Sequence, residues 1–274
     1  MDSREVLTRP APPVDHTLRY GEHPDQVVDL RLPPGLGPAP LLVLLHGGFW
    51  QPEYDRSHTG PLASALAEAG HLVAVPEYRR SGWPDTFDDV AAALDLLAGP
   101  LPHPVTGRTV LVGHSAGGHL ALWAAARRRL PADSPWSTRR VPDAVVVLAG
   151  CSCLDLCADW GLGEDAVLGL LGGGPGQVPQ RYALADPAAL LPLGVPVTLL
   201  HGTEDRQVPV AMSREYARRA TAAGDPVTLL ESAGTDHFHL IDPLAAVWPT
   251  VLATLTAAGR RPVPSQRTQL TGPS

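Results

Sequence analysis

Six short apolar runs alternate along this chain with segments whose apolar residues recur at helical spacing, and that alternation restricts the fold more than any other feature. The runs cover residues 41–45, 72–75, 109–112, 144–148, 197–200 and 227–230, each close to a glycine or proline. They lack a polar face, as strands do when both sides of a parallel sheet are covered. Helical spacing appears over 62–69, 87–97, 117–129, 210–223 and 243–257. An earlier segment, 27–32, alternates apolar residues with Asp29 and Arg31 and predicts an antiparallel edge strand. The expectation is an α/β chain with a mostly parallel central sheet flanked by helices.

With 274 residues, 44% of them hydrophobic, the chain can bury one large core, and no linker divides it into comparable halves. One domain is expected over 18–258, after a Pro-rich segment 1–17 that is loosely held and before a disordered tail, 259–274. Residues 151–182 break the rhythm with a run of glycines and predict a small cap inserted over the site.

The formal charge is −7 and all 21 cationic residues are arginine. Without lysine there is no Schiff-base or pyridoxal lysine, no phosphate-loop lysine and no Ser-Lys dyad. The charge offers no broad basic face for nucleic acid. No apolar run reaches bilayer length and no signal segment opens the chain, so a cytoplasmic protein without a membrane partner is expected. Cys151, Cys153 and Cys157 are odd in number and have no fourth Cys or His nearby, which predicts free thiols and no metal.

Chemistry is predicted at the carboxyl ends of the strands. Gly113-His114-Ser115-Ala116-Gly117 follows one apolar run and opens a helical segment. A strand-to-helix turn that sharp needs glycine on both flanks and projects its serine as a nucleophile. Asp205 and His237 follow two later runs, giving an orienting acid and a base in the order Ser, Asp, His. Glu204 and His239 are the adjacent alternatives for the acid and the base. His46-Gly47-Gly48-Phe49 follows the first run, and the backbone N–H groups of Gly48, Phe49 and Ala116 are expected to receive an oxyanion. Trp50, Trp83 and Trp160 are the candidate substrate-binding aromatics.

These segments resemble the α/β-hydrolase superfamily over residues 18–257. Within it, Tyr20-Gly21, His46-Gly47-Gly48-Phe49-Trp50-Gln51, Glu77-Tyr78-Arg79, Gly113 to Leu120 and Asp236-His237-Phe238 are similar to kynurenine-formamidase-like and related small esterases. Phe49 stands where hormone-sensitive-lipase relatives carry a third glycine, and Arg79 is expected as a structural hydrogen-bonder near the oxyanion loop. The three cysteines depart from the pattern. The resemblance implies a cofactor-independent serine hydrolase acting on a small-molecule ester or amide, with N-formylkynurenine as the narrower substrate, and its position at residue 205 favours Asp205 over Glu204. An acyltransferase or thioesterase, and a non-catalytic binding protein, share the fold. A homodimer is the assembly allowed for.

Overall fold

The computed structural model describes residues 2–260; most of the tail expected to be disordered therefore lies outside the described residues. Eight strands form one sheet: β1 (His16–Arg19), β2 (Val27–Arg31), β3 (Ala39–Leu45), β4 (Leu72–Pro76), β5 (Val105–His114), β6 (Ala144–Leu148), β7 (Val197–Gly202) and β8 (Val227–Ser232). Their spatial order is β1-β2-β4-β3-β5-β6-β7-β8. The pairs β1–β2 and β2–β4 are antiparallel, and all pairs from β4 to β8 are parallel.

Helices cover both faces. On one side α1 (Gly60–Glu68) and α8 (Trp248–Gly259) pack on Leu42, Leu44, Val110, Val112 and Val146. On the other, α2 (Asp85–Leu97), α3 (Ala116–Ala126) and α7 (Ala211–Ala222) pack on Leu41, Val43, Leu111, Val145 and Val147. Successive residues of a strand thus feed opposite cores, which is why these runs show no polar alternation. Every residue of α3 is buried.

The outer antiparallel strand is β1, not the expected segment 27–32, which sits one place inside it as β2. The charges of β2 mark partners rather than water: Arg56 Nε donates to Asp29 at 2.5 Å, and Arg31 donates to the carbonyls of Pro12 and Pro13. The last helix begins at Trp248, five residues later than its spacing suggests, because Pro249 suits a first helical turn and would break an interior one.

Residues 2–15 are held, contrary to the sequence expectation. Val6 is fully buried with Leu240 and Ile241, and Arg9 grips the Asp242 carboxylate with both terminal nitrogens. The insertion after β6 folds as α4 (Leu154–Asp159), α5 (Leu162–Leu171) and α6 (Pro179–Ala185). A left-handed turn at Gly163 brings it against the Phe49 ring, close enough that a Cβ there would stand 2.5 Å from a ring carbon. Among the described residues, no helix is long and apolar enough to cross a membrane.

Candidate active site

Ser115 stands between β5 and α3 with φ 56° and ψ −122°, a conformation that costs a non-glycine residue of order 1–3 kcal/mol. Its surroundings enforce the strain. The Ser115 N–H donates to Leu148 O, and its carbonyl accepts the N–H groups of Gly118 and Cys151. A Cβ on Gly113 would stand 2.1 Å from Gly117 O, and one on Gly117 would stand 2.0 Å from Leu45 O. The glycines therefore let the turn close against β3, and the serine side chain is pushed to the carboxyl edge.

His237 lies on the loop after β8 and Asp205 on the loop after β7. The His237 Nδ1 is 2.7 Å from Asp205 Oδ2. Asp205 Oδ1 accepts the N–H groups of Gln207 and Val208, each at 2.8 Å. Burial alone would raise the Asp205 pKa, but hydrogen bonds from His201 and His237 and the charge on His237 outweigh it, so the carboxyl is held well below its usual range. A permanent carboxylate requires Nδ1 of His237 to carry the proton, which leaves Nε2 as a lone-pair acceptor. Glu204 is exposed, and His239 pairs with Asp236 instead, so the adjacent alternatives stay outside this arrangement.

Ser115 and His237 line one cavity of about 60 Å³. Gly48, Phe49 and Tyr54 wall it on one side, Gln207 and Phe238 on another, and Arg4 and Leu7 of the N-terminal segment close it. No hydrogen bond joins Ser115 Oγ to His237 among the described residues. Gly48, Phe49 and Trp50 have φ values of 114°, 49° and 57°, so the backbone curls at the cavity wall. A Cβ on Gly48 would meet the Tyr54 Cβ at 2.3 Å. Ala116 is the first residue of α3, so its N–H has no partner within the helix.

Three buried histidines, not assigned roles from the sequence, hold these parts in place. His46 Nε2 is 2.9 Å from Glu77 Oε1, its ring stacks on Tyr78 at 4.3 Å, and the Tyr78 hydroxyl donates to the His46 carbonyl. Glu77 also accepts the Arg56 N–H and pairs with Arg80. His114 Nε2 donates to the His237 carbonyl at 3.1 Å; burial keeps its pKa well below the ordinary value, so it is neutral. His201 Nε2 faces the Val208 carbonyl and so carries its proton, which leaves Nδ1 to accept from the Ser213 hydroxyl. The available signal was positional, since each histidine sits where an apolar strand meets a glycine or the serine.

Arg79 does not support the loop after β3. It forms ion pairs with Asp89 and Asp85, and the support comes from Glu77 and Tyr78. Trp50, Trp83 and Trp160 do not line the cavity. Trp50 packs in the core with its ring edge on His119, Trp83 joins Phe87 and Trp136, and Trp160 lies half-exposed at the end of α4. For Trp50 and Trp83, burial in a continuous core gains more than a narrow, partly wet cleft would. The aromatics at the cavity are Phe49, Tyr54 and Phe238. The three cysteines are free and buried.

Comparison with known proteins places the chain in a family. A family model described as BD-FAE matches residues 28–219, more than half of the chain. The chain belongs to the BD-FAE family. This BD-FAE chain is 28% identical over 267 residues to a probable isoprenylcysteine alpha-carbonyl methylesterase of Oryza sativa subsp. japonica, covering 88% of this chain and 61% of that one. It is 26% identical over 243 residues to a kynurenine formamidase of Danio rerio, covering 82% and 75% of the two chains. The BD-FAE chain spans little more than half the length of the plant methylesterases it resembles. Among solved structures, a truncated carbohydrate esterase from gut microbiota superposes with a TM-score of 0.78 over 92% of this chain and 99% of that one, at 18% identity. That likeness concerns the fold, which is the α/β-hydrolase fold expected from the sequence.

Proposed function

We propose that this BD-FAE protein is a cofactor-independent serine hydrolase that cleaves a short acyl group from an ester or amide through an acyl-enzyme. The single observation that carries the reading is the His237–Asp205 contact in a cavity that also holds Ser115. With its Nδ1–H donating a hydrogen bond to the Asp205 carboxylate, the His237 imidazole has only Nε2 free to take the Ser115 hydroxyl proton. Ser115 Oγ then adds to the acyl carbon, and the carbonyl electron pair moves to oxygen. The N–H groups of Gly48, Phe49 and Ala116 stabilise that oxyanion, each worth about 3 kcal/mol in hydrolases of this kind. His237 returns the proton to the leaving oxygen or nitrogen as its bond to the acyl carbon breaks, and water repeats the sequence to release the acid.

The cavity volume argues for a short acyl group. About 60 Å³ is far below the ~300 Å³ at which drug-sized ligands begin to fit. N-Formylkynurenine is the narrower substrate we propose, since its formyl group is the smallest acyl group and a formamidase is among the relatives.

The test is a panel of N-formylkynurenine, short and long p-nitrophenyl esters and a thioester, ranked by kcat/KM with Ser115→Ala as control. Short acyl substrates are expected to lead, with the variant inactive. Turnover that survives Ser115→Ala would overturn the reading, and preference for long chains would overturn the small-acyl part of it.

A further inference from the structure

The N-terminal segment forms one wall of the Ser115 cavity, and its attachment is extensive. Ser3 Oγ donates to Asp236, Val6 is buried beside Leu240 and Ile241, and Arg9 pairs with Asp242. All of these partners flank His237 on one loop. The segment is thereby fixed to the element that carries the imidazole, more than 200 residues away in the chain.

Arg4 lies between these attachments. Its guanidinium stands 5.4 Å from the centre of the Phe238 ring, and its side chain lines the same cavity as Ser115 and His237. Ser115 is buried at the base, whereas Arg4 is exposed at the rim. Among the described residues, Arg4 has no ion-pair partner. The other cavity-lining side chains carry no permanent charge. His58 and His114 are kept neutral near pH 7 by burial, with His58 pushed down to about 4. Among the described residues no carboxylate lines the cavity; Asp205 lies behind His237 and Asp236 is engaged by Ser3 and His239.

We propose that Arg4 is a specificity residue that binds a carboxylate on the substrate, on the part lying outside the short acyl group. This deepens the hydrolase reading and rests on it for the orientation of the substrate. A cavity of about 60 Å³ takes the acyl end, so the remainder must leave through the rim. There it meets an unpaired guanidinium held against an aromatic face, which is suited to a flat, anionic leaving group by stacking and by the fork of N–H donors. Phe238 keeps the guanidinium in place without neutralising it.

The experiment uses a matched pair with the same acetyl group, 4-acetoxybenzoate and 4-acetoxybenzamide. In the wild-type background Arg4→Gln is expected to raise KM for the carboxylate about fivefold with kcat unchanged, and to leave the amide within about twofold. Arg4→Lys keeps the charge but loses the planar fork, so it should recover only part of the loss, and 0.5 M salt should shrink the gap between the two substrates. Equal losses on both substrates would mean that Arg4 merely supports the wall, and no loss on either would mean that it does not touch substrate; each result overturns the proposal. Calorimetric binding of 4-acetoxybenzoate to Ser115→Ala, with and without Arg4→Gln, separates this from the hydrolase reading. A difference in affinity of about fivefold supports the carboxylate contact even if wild type hydrolyses neither compound, and equal affinities overturn it.

Discussion

His237 Nδ1 and Asp205 Oδ2 lie 2.7 Å apart with both side chains nearly sealed from solvent, and this contact sets the tautomer on which the proposed chemistry depends. Asp205→Asn replaces a pure acceptor with a group that can present an N–H to Nδ1, so the imidazole proton shifts to Nε2. The expected result is a fall in kcat of roughly 10³–10⁴ with the fold retained, as in serine hydrolases generally. Steady-state kinetics beside circular dichroism would check it, and a variant within tenfold of wild type would remove Asp205 from the mechanism.

Glu77 links loop geometry to acid stability. Its burial favours the neutral form, but the hydrogen bond and charge of His46, with the Arg56 N–H and Arg80, win and hold its pKa down to about 2 against an ordinary 4.5. The unfolded carboxyl therefore takes up a proton at a higher pH than the folded one. The stabilisation is complete above pH 4.5 and is lost as the pH falls from there through 2, amounting to roughly 3 kcal/mol at neutral pH. Glu77→Gln is expected to lower Tm at pH 7 and to differ little from wild type near pH 2. It should also lower kcat more than it raises KM, because His46 no longer anchors the loop of Gly48 and Phe49. An equal loss of Tm at both pH values would contradict the account.

Gly117→Ala tests the packing of the turn at Ser115. The new Cβ would be 2.0 Å from Leu45 O, a backbone atom that cannot rotate away, so destabilisation of about 3 kcal/mol or more is expected. Gly169→Ala provides the opposite sign: nothing lies within 4 Å of its Cβ and it sits in α5, so a gain of about 0.5–1 kcal/mol is expected. Urea melts of both variants would measure the contrast. Two variants of equal stability would show that contact with β3 does not enforce the turn.

Much of this architecture was legible because it is written locally. Glycines at 113 and 117 specify a sharp turn whatever the rest of the chain does, and unbroken apolar runs specify strands covered on both faces. The meeting of Asp205 and His237 at one edge was legible for a related reason, since parallel topology delivers every strand's following loop there. Long-range partnerships were not legible. Arg4 looked like part of a loose terminus because Asp236, Asp242 and Phe238, which hold its segment, lie at the other end of the sequence. The charges of β2 looked like a solvent face because their partners come from residues 12, 13 and 56. The tryptophans were placed at the cavity on chemical suitability, and core packing claimed Trp50 and Trp83 instead.

The most direct test of the central claim is mass-spectrometric peptide mapping after exposure to a short-chain p-nitrophenyl phosphonate, which reacts only with an activated nucleophile. A single adduct on the peptide containing Ser115 is expected, absent in Ser115→Ala and formed far more slowly in His237→Ala. Folded wild-type protein that carries no adduct, or carries it on another residue, would contradict the account.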